Sequence, residues 1–368
     1  MFSTSYPDIL DQVQEIDPVS YGKSRNFIDG AVTRLSPYIS RGVISTKQVF
    51  HSILDRGFSP KKVEKFIQEL AWRDYWQQVW VEKGDEVNSD LRREQPNVFN
   101  HQIPNALVEH NTGVNAIDDA IEDLYQTGYL HNHLRMYIAC IACNIGGSHW
   151  LTPAQWMYYH LLDGDWASNA LSWQWVSGAN AGKEYYANQQ NINKYCYTRQ
   201  KGTFMDVEYE DFEGMEIPEK LQKVIQPALS TPLPKSNISK ISAYKPTLIY
   251  NWYNLDPNWH KSEDVNRVFL LEPSVFARYP ISQNSVDFMM RLAENIENVQ
   301  TYVGEFDDFT KDFGVTNVIY KEHPLNRYRG TEEPRDWMFS VKGYYRSFFG
   351  FWKKCEKELK QYRQPSLF

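Results

Sequence analysis

The sequence predicts a multidomain protein of the α and α/β class, in which an all-helical domain is followed by a small parallel-sheet α/β domain. Three observations predict this order. Apolar residues recur at helical spacing through about the first 200 residues, a segment rich in Pro, Ser and Lys follows, and short β-rich runs then alternate with helical stretches. The predicted boundaries are 1–205 for the helical domain, 206–245 for a linker and 246–368 for the α/β domain.

The helical domain is predicted from apolar periodicity in separate stretches with breakers between them. These stretches are 46–55, 61–82, 115–126, 130–145 and 153–162. Ser36 before Pro37 is a predicted N-cap, and Ser45 with Gln48 is a predicted capping box. Clean strand alternation is almost absent from this region, so the first domain is expected to be helical.

The α/β domain is predicted from short runs rich in β-branched and aromatic residues, separated by helical stretches such as 284–296. The runs are Thr247–Trp252, Arg267–Leu271, Val299–Val303 and Thr316–Tyr320. The segment before them is acidic and then rich in Pro, Ser and Lys, which is typical of a linker. No G-x-G-x-x-G occurs in this domain, so a dinucleotide site of the usual Rossmann kind is not predicted there.

Length and composition favour a protein with two packed cores and a large ligand. The 368 residues suit two domains. The number of Trp residues, 12, is unusually high, and it favours a large ligand because a Trp is costly to place unless something large stacks against it. The amino terminus has no apolar run typical of a signal peptide, and no stretch approaches the roughly 20 apolar residues of a membrane span. A cytoplasmic protein without membrane contact is expected.

Cysteine usage and charge exclude several function classes. Four cysteines are too few for a disulfide scaffold. Cys140 and Cys143 have C-x-x-C spacing but lie in an apolar run, so buried helix cysteines are favoured over an iron–sulfur cluster, and no metal site is predicted. The net charge is −7, so any nucleic-acid site must be a local basic patch rather than a global field.

Three short motifs place specialised side chains on single helical faces. Spacings of three and four residues bring together Glu69, Trp72, Arg73 and Trp76 in one stretch and Asn132, Arg135 and Met136 in another. The third stretch, 161–175, adds Asp163, Asp165, Asn169, Trp173 and Trp175. Aromatic rings with a few fixed charges are suited to a large, flat ligand.

Together with the stretches 21–25 and 33–37, these motifs resemble the photolyase/cryptochrome family. The resemblance covers roughly residues 20 to 190, where five separated motifs occur in the family's order and at nearly its spacing. It implies a helical domain that binds FAD folded into a U, in a protein similar to the cyclobutane pyrimidine dimer photolyases.

The resemblance also implies which residues contact FAD. They are Tyr21, Thr33, Arg34, Leu35, Ser36, Glu69, Arg73, Asn132, Arg135, Asp163, Asp165 and Asn169. Thr33 and Ser36 match the turn near the diphosphate, where a helix start supplies free N–H groups. Arg135 and Asp163 match a salt bridge beside the isoalloxazine. Asn169 matches the position facing flavin N5; an amide there cannot deliver a proton, which favours repair, whereas plant-type photoreceptors have Asp.

A flipped pyrimidine dimer is the substrate that the resemblance implies. The residues that would bind it are Arg25, Glu69, Trp72, Arg73, Asn132, Met136 and Trp175. Trp72 and Trp175 would sandwich the two rings, and Glu69 would hydrogen-bond the base edge. Asn132 and Met136 match the cyclobutane-dimer enzymes, since enzymes for (6-4) lesions have His at both positions.

The chain departs from the family at several positions. His133 and Asn188 stand where the family tends to have Arg, which should weaken duplex affinity through two lost phosphate contacts. Trp173 and Trp150 match the inner and middle members of the electron-transfer Trp chain and, with Glu69 and Asn169, are the expected catalytic residues. The outer Trp has no counterpart, because the matching segment 97–101 holds only Phe99 and His101 as rings.

The domain order also differs from that of the family. Family members usually begin with an α/β domain that carries an antenna chromophore, whereas here the helical domain comes first. Residues 281–320 look like part of that domain placed at the other end of the chain. The sequence after Tyr320 is unlike the antenna-binding segment of the folate-using enzymes, so no second chromophore is predicted.

The leading functional prediction is a light-dependent, FAD-containing lyase that repairs cyclobutane pyrimidine dimers in DNA by electron transfer from reduced flavin. Two alternatives remain open. One is a cryptochrome-like blue-light photoreceptor without repair activity, which the acidic charge, the absent arginines and the altered Trp chain support. The other is a photolyase that prefers single-stranded nucleic acid and recognises it by stacking.

Overall fold

The computed structural model describes residues 2–180 and 182–362. Its α-helices, in chain order, are α1 (Tyr6–Gln14), α2 (Pro18–Ser24), α3 (Ser36–Ser40), α4 (Thr46–Asp55), α5 (Glu64–Lys83), α6 (Asn105–Val108), α7 (Asn115–Thr127), α8 (Asn132–Ala139), α9 (Leu151–His160), α10 (Trp166–Val176), α11 (Gln189–Cys196), α12 (Glu219–Gln222), α13 (Pro273–Arg278), α14 (Gln283–Ala293), α15 (Phe306–Phe313) and α16 (Phe348–Leu359). A π-helical stretch, Cys140–Ile145, continues α8.

The strands form two sheets. They are β1 (Ile103–Pro104), β2 (Val224–Ile225), β3 (Thr247–Tyr250), β4 (Asn266–Leu271), β5 (Val299–Val303), β6 (Val318–Lys321) and β7 (Thr331–Glu333). The larger sheet has the order β5-β4-β3-β6-β7, and each neighbouring pair is parallel. The two residues of β1 pair antiparallel with β2. The predicted fold class, helical segments with a parallel-sheet α/β part, is confirmed.

The predicted elements agree with the observed ones most closely where the apolar pattern is strong. The stretch 46–55 coincides with α4, and the four predicted strands overlap β3, β4, β5 and β6. At α4, the Ser45 hydroxyl accepts from the Gln48 N–H (2.9 Å), which is the N-cap half of the predicted capping box. The predicted N-cap Ser36 is wrong, because Ser36 is the first residue of α3 and Leu35 precedes it without a side-chain cap.

The described residues divide into two compact units that are interleaved along the chain. Unit 1 falls within Met1–Val19, Thr33–Glu82 and Ser230–Phe368, and unit 2 consists of Ser20–Val32 and Lys83–Leu229. Within the predicted linker, residues 206–229 carry α12 and β2 in unit 2, whereas Asn237 in unit 1 exchanges backbone and side-chain hydrogen bonds with Thr301 of β5. The predicted boundaries of contiguous domains stay a prediction, and residues 1, 181 and 363–368 of these domains lie outside the described residues.

In unit 1 the parallel sheet is covered by apolar side chains of the helices that connect its strands. Ile249, Val268 and Leu270 of β3 and β4 form one buried cluster with Phe306 and Phe309 of α15. Parallel strands are usually buried in this way because their crossover helices lie on the sheet's faces. The continuous apolar runs in the sequence therefore became central strands.

A second feature of unit 1 is a segment that crosses one side of α5, residues 335–348, named here the C-terminal strap. The Met338 N–H donates to the Asp74 carboxylate (2.9 Å), and the Gly343 N–H donates to the Gln78 side chain (3.0 Å). The strap ends at Phe348, whose ring stacks on Trp72 with 3.8 Å between ring centroids and 10° between planes. Side chains of α5 thus satisfy backbone groups of a segment more than 250 residues away.

Asp74 links this strap to a predicted pH dependence of stability. One oxygen of the Asp74 carboxylate accepts from the Met338 N–H, and the other accepts from the Thr46 hydroxyl (2.8 Å). Burial raises the pKa of this carboxyl to about 6, and the two hydrogen bonds and the Arg335 charge only partly offset that rise. Because the folded protein holds this proton more tightly than the unfolded chain, Asp74 makes the free energy of unfolding fall as the pH rises between about 4 and 6. The penalty amounts to about 3 kcal/mol above that window.

The test compares urea unfolding of the wild-type protein and Asp74→Asn at pH 4.5 and pH 7.5. The neutral amide keeps the shape of the side chain and removes the titration, so the loss of stability between the two pH values should be smaller in the variant. Equal losses in both proteins would contradict the prediction.

No helix in the ranges 2–180 and 182–362 is long and apolar enough to cross a membrane. In the same part of the chain no group of three or more His, Cys, Asp or Glu side chains is arranged to hold a metal ion. Cys140 and Cys143 are buried in the helical stretch, as predicted, and burial raises the pKa of both thiols.

Candidate functional site

The predicted site residues are distributed over both units. Thr33, Arg34, Leu35, Ser36, Glu69, Trp72 and Arg73 belong to unit 1, whereas Tyr21, Arg25, Asn132, Arg135, Met136, Trp150, Asp163, Asp165, Asn169, Trp173 and Trp175 belong to unit 2. Each group has its own local geometry.

In unit 2 the most distinct feature is an ion pair between α8 and the turn after α9. A nitrogen of the Arg135 guanidinium lies 3.0 and 2.9 Å from the two oxygens of Asp163, and Arg135 Nε donates to the Leu130 carbonyl (2.8 Å). The Asp163 side chain is only 2% exposed, and that of Arg135 is 22% exposed. The structure therefore brings together the two residues that the resemblance paired, and it holds a cation in a shielded position.

The α10 helix places three polar side chains on one face. Asp165 is its N-cap and accepts from the Ser168 N–H (2.7 Å), and the Asn169 amide donates to the Ala154 carbonyl of α9 (2.8 Å). The Ser168 hydroxyl is buried and has no hydrogen-bond partner within the described ranges. A buried hydroxyl without a partner is costly, so this face is suited to a polar ligand.

The two predicted electron-transfer tryptophans are both buried. Trp150 is fully enclosed and Trp173 is 2% exposed. The Trp150 indole N–H donates to the Asp90 carboxylate (2.7 Å). The same carboxylate oxygen lies 3.0 Å from His149 Nε2. Sequence reasoning missed Asp90, because the acceptor lies 60 residues from the indole in the chain and no motif marks it.

At the predicted outer position of the Trp chain the structure has other rings. His101 lies 4.9 Å from His149, measured between ring centroids, and Phe99 is 74% exposed. Neither ring is an indole, so the segment 97–101 supplies no outer Trp.

In unit 1, α5 carries the predicted Glu69, Trp72 and Arg73 on its partly exposed face. Glu69 forms an ion pair with Lys65 one turn earlier (2.8 Å), and Arg73 donates to the Ser40 hydroxyl of α3 (2.9 Å). These contacts fix the directions of both side chains. Arg34 adopts a left-handed backbone conformation (φ 53°) just before α3, where the Thr33 hydroxyl accepts from the Leu35 N–H (3.3 Å).

The two predicted stacking indoles have different surroundings. One face of Trp72 is covered by Phe348 of the strap. Trp175 is 40% exposed and lies 5.7 Å from the Tyr185 ring. No sequence motif indicates the contact with Phe348, because the two rings are 276 positions apart.

The two positions that lack the family's Arg have structural roles here. His133 Nδ1 donates to the Asn26 carbonyl (2.7 Å), and burial lowers the pKa of the imidazole, as does the nearby Arg25. Asn188 is the N-cap of α11 and accepts from the Asn191 N–H (3.0 Å) while donating to the Val207 carbonyl (3.1 Å). Neither side chain therefore supplies a positive charge near neutral pH.

In unit 2 the structure thus holds a shielded guanidinium, two carboxylates and an amide, a set of groups that is suited to a polar ligand. Residues 66–206 match the family model described as the FAD binding domain of DNA photolyase. This segment comprises 141 of the 368 residues, and over it the chain is similar to the FAD-binding domain of the photolyases.

Individual relatives match a similar share of the chain. A deoxyribodipyrimidine photo-lyase of Streptomyces griseus is 33% identical over 149 residues, which are 40% of this chain and 32% of the relative. One from Thermus thermophilus is 32% identical over 164 residues, 43% of this chain and 38% of the relative. The chain thus spans about a third of the length of these relatives.

Among solved structures, the cryptochrome of Synechocystis sp. superposes with a TM-score of 0.46 at 22% identity. The superposition covers 53% of this chain and 44% of that one.

Proposed function

We propose that this protein is a light-dependent photolyase that splits cyclobutane pyrimidine dimers in DNA. The observation that carries the proposal is the shielded Arg135–Asp163 pair within the segment matched by the photolyase FAD-binding domain. Reduced FAD, when bound, supplies under blue light the electron that opens the dimer and receives it back afterwards. The relatives named deoxyribodipyrimidine photo-lyase support this activity.

In this proposal the residues of unit 2 hold and tune the cofactor. Arg135 offers a fixed positive charge to an electron-rich ring system, and Asp163 keeps its guanidinium in place. Asn169 offers an amide, one N–H of which donates to a backbone carbonyl, and it moves no proton because an amide is not acidic near neutral pH. Tyr21, Thr33, Arg34, Leu35, Ser36, Glu69, Arg73, Asn132 and Asp165 are the other proposed contacts. Trp173 and Trp150 are the proposed electron path to the cofactor.

The substrate is proposed to be a dimer flipped out of the strand. Glu69 would hydrogen-bond the base edge, Met136 would fill space beside Asn132, and Trp72 and Trp175 would contact the pyrimidine rings. Arg25 and Arg73 would contact phosphates. Since one face of Trp72 is covered by Phe348, contact at Trp72 requires its opposite face or displacement of that ring.

A photoreceptor without repair activity is the second candidate. It is favoured by the uncharged His133 and Asn188, because the duplex loses two phosphate contacts at these positions. The same purified protein decides between the candidates. Repair of a thymine-dimer oligonucleotide under blue light supports the lyase, and light-driven changes in flavin absorbance without repair support the photoreceptor.

Glu69→Gln is expected to lower the repair rate per bound flavin roughly 10- to 100-fold, because a charge-assisted hydrogen bond to the base edge is weakened. Repair is measured by the recovery of undamaged thymines in an oligonucleotide, and flavin content by absorbance. Glu82→Gln, an exposed change on the same helix, is the matched control. A Glu69→Gln protein that repairs at the wild-type rate would remove Glu69 from the proposed site.

A further inference from the structure

Unit 2 exposes a group of stacked aromatic rings next to α8, formed by Phe27, Tyr195 and Tyr197 and named here the aromatic platform. The rings of Tyr197 and Phe27 are stacked, with 5.6 Å between centroids and 19° between planes, and Phe27 lies 5.0 Å from Tyr195. Tyr197 is 61% exposed. An exposed, ordered stack of rings is suited to binding another flat ring.

The platform is continuous with the helix that carries Asn132 and Met136. The Tyr195 ring lies 4.7 Å from that of His133, and His133 is stacked on Tyr137 at 5.4 Å. A row of rings therefore leads from the surface at Tyr197 to α8, where the proposed substrate residues begin.

The backbone holds the outermost ring in place. Tyr197 follows α11 in the left-handed conformation (φ 56°), a position usually taken by Gly or Asn. Asn193 stabilises this turn, because its carbonyl accepts from the Tyr197 N–H, and its side chain accepts from the Thr198 hydroxyl (2.7 Å). The Ile28 backbone N–H donates to the Tyr195 carbonyl (3.0 Å), which links the segment that carries Phe27 to the end of α11. The platform is thus ordered before any ligand binds.

Charge around the platform differs from the charge of the rest of the unit. The segments 23–29 and 194–201 hold five basic side chains and one acidic side chain, Asp29, whereas the remainder of unit 2 holds 7 basic and 19 acidic side chains. The basic residues are Lys23, Arg25, Lys194, Arg199 and Lys201. Lys194 Nζ lies 5.1 Å from the centre of the Tyr195 ring. A local basic patch in an acidic unit is complementary to a polyanion.

We propose that the aromatic platform binds unpaired bases of single-stranded DNA by stacking, while Lys194 and its basic neighbours hold the backbone. Stacking on aromatic side chains is tolerant of sequence and needs an unpaired base, and a duplex offers none at its surface. The uncharged His133 and Asn188 also favour a single strand over a duplex, since neither side chain supplies a positive charge for a duplex phosphate. The inference rests on the proposed function only for the choice of DNA as the nucleic acid.

The test measures binding of the full-length protein to a labelled, undamaged oligo-dT in the dark by fluorescence anisotropy. Tyr197→Gly removes the ring and relieves the left-handed backbone, so the variant should fold at least as well as the wild type. Its affinity is expected to fall roughly 5- to 100-fold. Tyr197→Phe keeps the ring and should bind within about twofold of the wild type. Tyr244→Ala, which removes an exposed tyrosine of unit 1, is the matched control and should also bind normally.

Two further measurements separate stacking from charge. Lys194→Gln should weaken binding and reduce the salt dependence by about one unit, whereas Tyr197→Gly should leave the salt dependence unchanged. Wild-type protein should prefer the single strand to a duplex of equal length. Unchanged affinity of Tyr197→Gly for oligo-dT, or equal affinity of the wild type for single strand and duplex, would overturn the inference.

Neither measurement depends on repair. A protein that binds oligo-dT through Tyr197 but does not split dimers would refute the proposed function and leave the platform intact. If the wild-type protein repairs dimers and Tyr197→Gly binds oligo-dT with wild-type affinity, the proposed function is supported and the role of the aromatic platform is refuted.

Discussion

Asp163→Ala is expected to lower the free energy of unfolding by about 3–5 kcal/mol and to yield protein that does not retain flavin. The physical reason is that the Arg135 guanidinium, only 22% exposed, loses the carboxylate that contacts it at 2.9 and 3.0 Å. A partly buried charge without its counterion is costly, and the freed side chain no longer holds the fixed position that the proposed cofactor contact needs. Urea unfolding gives the stability, and absorbance after gel filtration gives the flavin content.

The chain offers a matched control for this change. Arg329 and Asp307 form an ion pair of similar length (2.7 Å), but their side chains are 76% and 69% exposed. Asp307→Ala should therefore change stability by less than about 1 kcal/mol. Asp163→Asn, which keeps the shape and one acceptor oxygen, should fall between the two alanine variants. If Asp163→Ala unfolds at the wild-type urea concentration with its flavin bound, the role given to this pair is wrong.

Phe348→Ala is expected to lower the free energy of unfolding by about 3–5 kcal/mol, because it removes a fully enclosed aromatic ring. Phe348 is 3% exposed, is stacked on Trp72 and lies edge-on to Tyr75 at 5.8 Å. Its neighbour Phe349 is 69% exposed, so Phe349→Ala should stay within about 0.5 kcal/mol of the wild type. Thermal or urea unfolding of the pair measures the difference directly.

The same variant uncovers Trp72. Quenching of tryptophan fluorescence by acrylamide should increase in Phe348→Ala and not in Phe349→Ala. A Trp72→Phe background should abolish most of this increase, since the newly accessible indole would be absent. Equal quenching in all these proteins would mean that the strap does not cover Trp72 in solution.

Much of the fold could be predicted because its elements have strong local patterns. The strands β3, β4, β5 and β6 are short apolar runs between polar segments, and the helix α4 has both its periodicity and its Ser45 cap. Such features depend on neighbours within a few residues, which the sequence displays directly. The prediction of Ser36 as an N-cap was wrong because a Ser before a Pro is compatible with both the N-cap position and the first helical position.

The candidate site was predictable where motifs carry it. The Arg135–Asp163 pair was expected from the family resemblance, and the structure places the two side chains in contact across 28 residues. Asp90, which accepts from Trp150, and Asp74, which holds the strap, belong to no motif, and their partners lie 60 and 264 residues away. The chain has 46 acidic side chains, and tertiary packing determines which of them become buried hydrogen-bond acceptors.

The sequence by itself determined the types of element and the motifs that resemble an FAD-binding domain, because these depend on spacing and composition. The tertiary structure alone decided that Phe348 covers Trp72, that His133 joins a row of rings instead of carrying a charge, and that Asp74 is buried. The physical reason is that solvent exposure and long-range partners set the pKa and the accessibility of a side chain, and both arise only when distant segments pack together.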